Sequence, residues 1–475
     1  MRYLIIFIIS IFAAVGCIED DFSTSPSDQP VFSVDTLDLG IVFTDEPTPT
    51  HRFLVHNPHS KALAISNIRI SGTDASCFRI NVDGISGETF ENVEIRPNDS
   101  IFVFVEATLP ETEGDTTHIE ADINFNTNGV TNSVLLTATG VNVIRHRGTT
   151  ITADTRFTAE KPYIVFDSLV VAPEATLTIE PGANIYFHDK AMLVVRGTLL
   201  AEGTTNEPIT MCGDRTGNVV TDISFDIMSR QWVGVFFTST SHSNRLVNTT
   251  IKNTAQALAI AGDANADYSS TPQLYMLNSR LRNSGDLVLE AYHSAIEAYG
   301  CEFAEAANGL VFLQGGSHHF VNCTFANNYL FAAIGGAAIQ MAHLSDDEAT
   351  GIDDGSGLPF LNAYFDNCIV YGIGNDLSHG DLTGTDVFFR RTLLKSNGSD
   401  DDNFIECIWG EDPLYYTIRE EYIFDYRLMP ESPAIGAGDP DFIPAAAATD
   451  GYGKVRGSAP DLGAYVFVQP EESEQ

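Results

Sequence analysis

Between residues 248 and 393 the chain repeats itself. A small or polar residue followed by an apolar one recurs as Asn248-Thr-Thr-Ile251, Asn278-Ser-Arg-Leu281, Gly300-Cys-Glu-Phe303, Asn322-Cys-Thr-Phe325, Asn367-Cys-Ile369 and Arg391-Thr-Leu393. Most spacings are one or two multiples of about 22–24 residues, as expected when each repeat is one structural unit stacked on the last. Cys301, Cys323 and Cys368 recur at one place in that unit. The units hold short β stretches, such as Leu310-Val-Phe-Leu313, and no long helical period. Strands wound into such a stack lie parallel, bury one face each and ladder like residues at ~4.8 Å. About eleven coils are expected, a rod of roughly 50 Å at that rise. The three cysteines then read as a buried thiol ladder rather than a metal site, since no His accompanies each one. Asn248, Asn278, Asn322 and Asn367 read as turn residues bonding their own backbone. Trp232 is expected to seal a coil, and Gly315–His319 to be a turn leading into the next strand.

Short strands at this period resemble the right-handed parallel β-helix of the pectate-lyase-like superfamily, over roughly residues 144–467. The opening "VVAPEATLTIEPGANIYFHDKAMLVVRGTLLAEGTTNEPITMCGD" is similar to the first coils of secreted bacterial members. The close, "YRLMPESPAIGAGDP" and "DGYGKVRGSAPDLGAYVF", resembles their terminal coil and cap. The resemblance implies an all-β fold and is nearly silent on reaction, because one scaffold hosts many activities.

The N-terminus carries an address. Arg2, the apolar run Leu4–Phe12 and the small residues before Cys17 make residues 1–16 a signal peptide, too short for a membrane span. Ala14-Val-Gly-Cys17 resembles the lipobox of bacterial lipoproteins, which implies lipidation of Cys17 and attachment to a membrane. Residues 17–30 read as a flexible, Ser/Pro/Asp-rich tether. Its acidic start, Ile18-Glu-Asp-Asp21, resembles the surface-export signal of Bacteroidota lipoproteins, which implies the outer membrane with the protein facing the exterior. Asp35-Thr-Leu, Asp99-Ser-Ile and Asp167-Ser-Leu are similar to O-glycosylation acceptors of the same bacteria. Residues 31–143 alternate apolar and polar positions between turns; about seven strands there predict a β-sandwich. "HRFLVHNPHSKALAISNIRISG" resembles Ig-like modules of bacterial surface proteins, with Asn57-Pro58 turning the chain between strands. His51, His56 and His59 lie within it and read as solvated rather than metal-binding. Residues 468–475 form an acidic tail.

Chemistry is harder to read. The 475 residues hold 25 Lys+Arg against 64 Asp+Glu, a net charge of -39, which argues against nucleic acid as a partner. Between Arg282 and Arg390 stand fourteen acids and no Lys or Arg. A polyuronate lyase of this fold would want a cationic base there, with Ca²⁺ against the substrate. A glycoside hydrolase needs only two carboxylates. Asp353-Asp354 loosely resembles the paired acids of polygalacturonases, and Asp376 with His379 their Gly-His-Gly region, yet both stretches read as Gly/Asp-rich loops. Asp263, Asn265 and Asp267 have the spacing that opens a Ca²⁺ loop, but Tyr268 and Leu274 occupy the positions where Gly and a bidentate Glu belong. No cofactor is expected beyond an incidental Ca²⁺. The expected function is therefore a non-catalytic, surface-exposed lipoprotein whose rod is a platform for glycan or partner proteins, as in an accessory subunit of an outer-membrane complex. A polysaccharide-degrading enzyme is the alternative.

Overall fold

The computed structural model describes residues 21–470 apart from 112–113, 115, 221–222, 257, 264–270, 343–360 and 384. The signal peptide and Cys17 lie outside the described residues. The chain divides into two compact units, 1–142 and 143–475.

The first unit is a two-sheet sandwich. One sheet orders its strands as Val31–Phe32, His51–His56, Ser100–Ala107, Phe78–Val82 and Ile85–Gly87. The other runs Thr36–Phe43, Val130–Val141, Thr116–Thr127, Leu63–Ser71 and Thr89–Ile95. Alternation drives this arrangement: in Thr116–Thr127 every second residue from Ile119 is buried. The inner faces meet in one core that includes Leu39, Val55, Ile65, Val103, Phe125 and Leu136. Asn57, fully buried, donates to the carbonyls of Lys61, Ile95 and Arg96 and so fixes the turn it opens. The three histidines do not converge on one site. His56 Nδ1 lies 3.0 Å from Ser100 Oγ, His59 Nε2 lies 3.0 Å from the Gln29 carbonyl, and burial holds His51 below the usual imidazole range.

The second unit is a parallel β-helix with three lines of strands. Sheet A has ten, from Thr155–Phe157 to Phe404–Ile405, all parallel. Beyond the long strand Tyr163–Val171, the remaining strands form two further lines. Sheet B follows Asn184–Phe187 through Arg280–Ser284 and Glu302–Ala306 to Ile408–Trp409. Sheet C follows Met192–Val195 through Leu289–Tyr292 to Leu377–Ser378. One coil takes a strand from each. Ten rungs of sheet A span ~43 Å, slightly under the expectation.

The repeat residue marks the corner between sheets A and B. Asn248, Asn278, Gly300, Asn322, Asn367 and Arg391 all have positive φ there. Asn visits that conformation more readily than other residues with a Cβ. Gly300 takes the slot where a Cβ would meet the Asn278 Oδ1 at 2.4 Å. The sequence predicts that these Asn side chains bond their own turns; instead they bond distant main chain. Asn278 donates to the Thr449 carbonyl, Asn322 to Asp461 and Asn367 to Asp439, so these corners hold down the C-terminal segment. That use requires a long-range contact invisible in the local pattern.

The next residue inward forms the ladder Thr249, Ser279, Cys301, Cys323, Cys368, Thr392. Its hydroxyls and thiols donate to main-chain carbonyls: Ser279 to Leu246, Cys323 to Ala298 and Thr392 to Phe365. Cys301 and Cys323 are fully buried, and burial pushes their thiols well above the ordinary range. In native protein a thiol-specific reagent is expected to leave Cys301, Cys323 and Cys368 unmodified and to label them only on unfolding. Mass spectrometry of labelled protein checks this; fast native labelling of the three would contradict the ladder.

Inside sheet A, Phe320, Phe365, Phe389 and Phe404 stack with centroids 5.0, 4.6 and 5.0 Å apart and ring planes within 6°. Trp232 is buried in the same core, stacked on Phe187 at 4.0 Å. The two histidines of the Gly-Gly-Ser-His-His stretch lie not in a turn but in the strand Gly316–Val321. His318 points inward between Ile296 and Ala363. Burial drives its pKa down to about 4, so it sits neutral. The unfolded imidazole takes a proton near pH 6.5, and stability from this residue falls as pH drops from there toward 4. His318→Leu is expected to flatten that part of a melting-temperature profile, while wild type declines.

Candidate ligand-binding face

The three faces of the rod differ. Sheet B is covered. Its outward residues Ala304, Ala326, Ile369 and Leu393 are small or apolar, and Tyr426, Leu428, Leu462, Ala464 and Tyr465 of the C-terminal segment pack on them. Charges are sealed beneath that segment. Glu302 accepts from the Tyr465 hydroxyl at 2.6 Å and lies 3.2 Å from Arg282 Nε. Glu305 accepts from the Tyr426 hydroxyl and is pushed up to about 7 by burial, against that bond and the nearby Arg282. These groups hold the segment in place and are closed to a ligand.

Sheet A carries an outward row in strand register: Arg245, Tyr275, Glu297, His319, Tyr364, Phe388. All six are half-buried rather than sealed. Arg245 sits over the Tyr275 ring at 4.4 Å and pairs with Glu202 at 2.6 Å. Tyr299, on the adjoining row, donates to Glu297 at 3.1 Å and stands edge-on to the rings of Tyr275 and His319. Tyr364 stacks near Phe388 at 5.6 Å.

At the centre of this row a histidine is held from below. His319 Nε2 lies 2.8 Å from Asp366 Oδ2 and must donate to it, which leaves Nδ1 as the imidazole's other polar atom. Asp366 is fully buried, and Arg390 grips it with two bonds at 2.5 and 2.6 Å. Hydrogen bonding to Asp366 raises the Arg390 pKa above its ordinary value. A fork-to-carboxylate pair of this kind fixes direction as well as charge. The ring of His319 is thus set in one orientation within a half-buried row.

Sheet C offers a different outward row: Phe236, Ala259, Glu290, Phe312, Gln340. Half-burial raises the pKa of Glu290, helped by the Asp286 carboxylate and opposed by a Tyr292 hydroxyl at 3.4 Å. Asn308 donates to Asp286 at 2.8 Å.

The residues singled out by sequence lie elsewhere. Asp376 is nearly buried and engaged by its own loops, accepting from Ser396 N and Oγ, both at 2.8 Å, and from Leu377 N. His379 is exposed, with Nδ1 2.7 Å from the Gly380 carbonyl. Asp353, Asp354, Asn265 and Asp267 lie outside the described residues, and of the calcium-like spacing only Asp263 is within them. Among the described residues no three His, Cys, Asp or Glu side chains form a metal-binding group. The sheet A row was missed by sequence reading, although a signal existed. Arg245, Tyr275, Glu297, His319, Tyr364 and Phe388 each stand three residues before the repeat residue.

Parallel strands stacked coil on coil in three lines make a parallel β-helix, the architectural class to which this unit belongs. No family model matches the chain, and no curated protein matches it. Solved structures with local likeness include a family 123 glycoside hydrolase from Clostridium perfringens, 10% identical over 26% of each chain with TM-score 0.19. This chain thus spans about a quarter of that hydrolase's length. Another is the catalytic domain of a GH87 alpha-1,3-glucanase in complex with tetrasaccharides, 9% identical, covering 80% of this chain and 92% of that one with TM-score 0.22. A third is the Agl-KA catalytic domain, 10% identical over 76% of each chain with TM-score 0.20. Likeness at this level carries nothing about ligand or reaction.

Proposed function

We propose that this protein binds an extended glycan along sheet A of its β-helix. The single observation that carries the reading is the in-register row Tyr275–Glu297–His319–Tyr364–Phe388, half-exposed where sheet B is sealed, with Tyr275 packed beside Phe442 and Ile443. Each of its first four rungs combines an apolar or aromatic body with a polar tip, and hydroxyl-rich ligands present apolar ring faces and hydrogen-bonding groups together. The neighbouring sandwich, read as an Ig-like module, serves as spacer. Lipidated Cys17 and the acidic tether place the protein on the outer membrane, facing out, where it acts as a binding platform and accessory to outer-membrane proteins.

Tyr364→Ala and His319→Ala test this reading. Each is expected to weaken retardation in polysaccharide affinity electrophoresis at least fivefold, with an unchanged melting temperature for Tyr364→Ala. Full retention of binding by both variants would refute the reading.

A polysaccharide hydrolase is the second reading, and a different feature favours it. Glu290 is a carboxyl with raised pKa close enough to a second carboxylate, Asp286, to feel its charge, which is the condition a general acid requires. Under this reading Glu290→Gln abolishes release of reducing ends from a bound glycan while leaving binding intact. Wild-type protein that binds a glycan and never cleaves it supports the platform instead.

A further inference from the structure

We infer that the ligand of sheet A is an uncharged, linear oligosaccharide lying parallel to the rod axis, in register with the rungs; this inference rests on the glycan reading above. Charge comes first. The cations at the row are already matched by the protein's own acids, Arg245 by Glu202 and Arg390 by Asp366, and His319 is hydrogen-bonded to the same Asp366. Asp366 is fully buried, so neither Arg390 nor His319 can turn outward to an anionic sugar without stranding a carboxylate in the interior. What the row adds for a ligand is Glu297, a half-exposed carboxylate. The whole chain holds 64 Asp+Glu against 25 Lys+Arg, so the protein's overall field is negative as well. A uronate or sulfated chain therefore meets repulsion with no cation to offset it, whereas neutral hydroxyls find donors and acceptors of both kinds.

Geometry sets the direction. The polar tips of Tyr275, Glu297, His319 and Tyr364 fall on successive rungs ~4.8 Å apart, which matches repetition along the rod axis. From Tyr275 to Phe388 the row covers ~19 Å. A ligand lying across the rod would meet one rung only and use one tip; a linear chain lying along it uses all of them. His319 and its buried clamp fix the register at the centre.

Calorimetric titration of the full chain with neutral β-linked gluco- and xylo-oligosaccharides of two to eight units tests this, beside oligogalacturonates of equal length. Affinity for one neutral series is expected to rise at least tenfold from the dimer to the length that fills the row, then level off. Oligogalacturonates are expected not to bind at low salt. Binding of the acidic series as tightly as the neutral one, or affinity independent of length, would overturn this inference while leaving glycan binding standing. Failure of every oligosaccharide and of the parent polysaccharides to bind would overturn both. Glu297→Gln isolates the charge argument: it should admit oligogalacturonate weakly at low salt, and continued exclusion of the acidic series by this variant would overturn it.

Discussion

Arg282→Met is expected to destabilise the β-helix unit by about 3–5 kcal/mol, the cost typical of removing one partner from a buried ion pair. Arg282 is packed under the C-terminal segment, where burial works against its charge while Glu302, Tyr465, Tyr426 and Glu305 carry its pKa above the ordinary value. It also donates to the Phe424 carbonyl at 3.2 Å. Without it, Glu302 and Glu305 face each other beneath Tyr465 and Tyr426 with their main nearby cation gone. The result should show first where the segment meets sheet B. Limited proteolysis is expected to cut within residues 413–467 before the coils yield, and urea unfolding should show an early transition. A triple variant, Arg282→Met with Glu302→Gln and Glu305→Gln, should recover most of the loss, since hydrogen-bonded amides need no counter-charge. An Arg282→Met protein with wild-type unfolding and proteolysis would show that the segment is held by apolar contacts alone.

The second large effect lies in the core. Phe365 sits between Phe320 and Phe389 in the inward stack of sheet A and is fully buried. Phe365→Ala should cost about 3–5 kcal/mol, combining lost burial with a cavity that neighbouring rungs cannot close. Each rung is hydrogen-bonded to the next, so the coils cannot shift sideways to fill the space. Phe365→Leu keeps most of the volume and should cost less than half as much. Denaturant midpoints of the two variants, measured with unchanged slope, check the ordering. Because Phe365 and the outward Tyr364 are adjacent in one strand, Phe365→Ala is also expected to weaken glycan binding through lost order in the row, whereas Phe187→Ala, in a distant coil, should not.

These effects separate what the sequence carries from what it conceals. The spacing of Asn248, Asn278, Gly300, Asn322, Asn367 and Arg391 makes the coil legible because each corner needs a residue that accepts positive φ, a local and side-chain-specific demand. The thiol ladder is legible for the same reason: a fixed offset from a fixed corner places Cys301, Cys323 and Cys368 in equivalent small cavities. The inward phenylalanines follow from alternation. Outward residues are not marked by type, since Arg, Tyr, Glu, His, Tyr and Phe share nothing but their offset from the corner.

The partners of Asp366 illustrate the difference. In sequence, His319, Asp366 and Arg390 are separated by 47 and 24 residues and belong to unrelated motifs, while Asp376 and His379 look like a site because they are near neighbours. Coil stacking reverses that impression. It sets His319, Asp366 and Arg390 on neighbouring rungs and turns Asp376 inward to Ser396. The sequence by itself determined the all-β class, the period of the coil and the identity of its corners, because those are dictated within a few residues by backbone conformation and alternation. Only the tertiary structure decided which face is open, since covering sheet B depends on a C-terminal segment that returns from far along the chain to pack against Ala304, Ala326 and the corner asparagines.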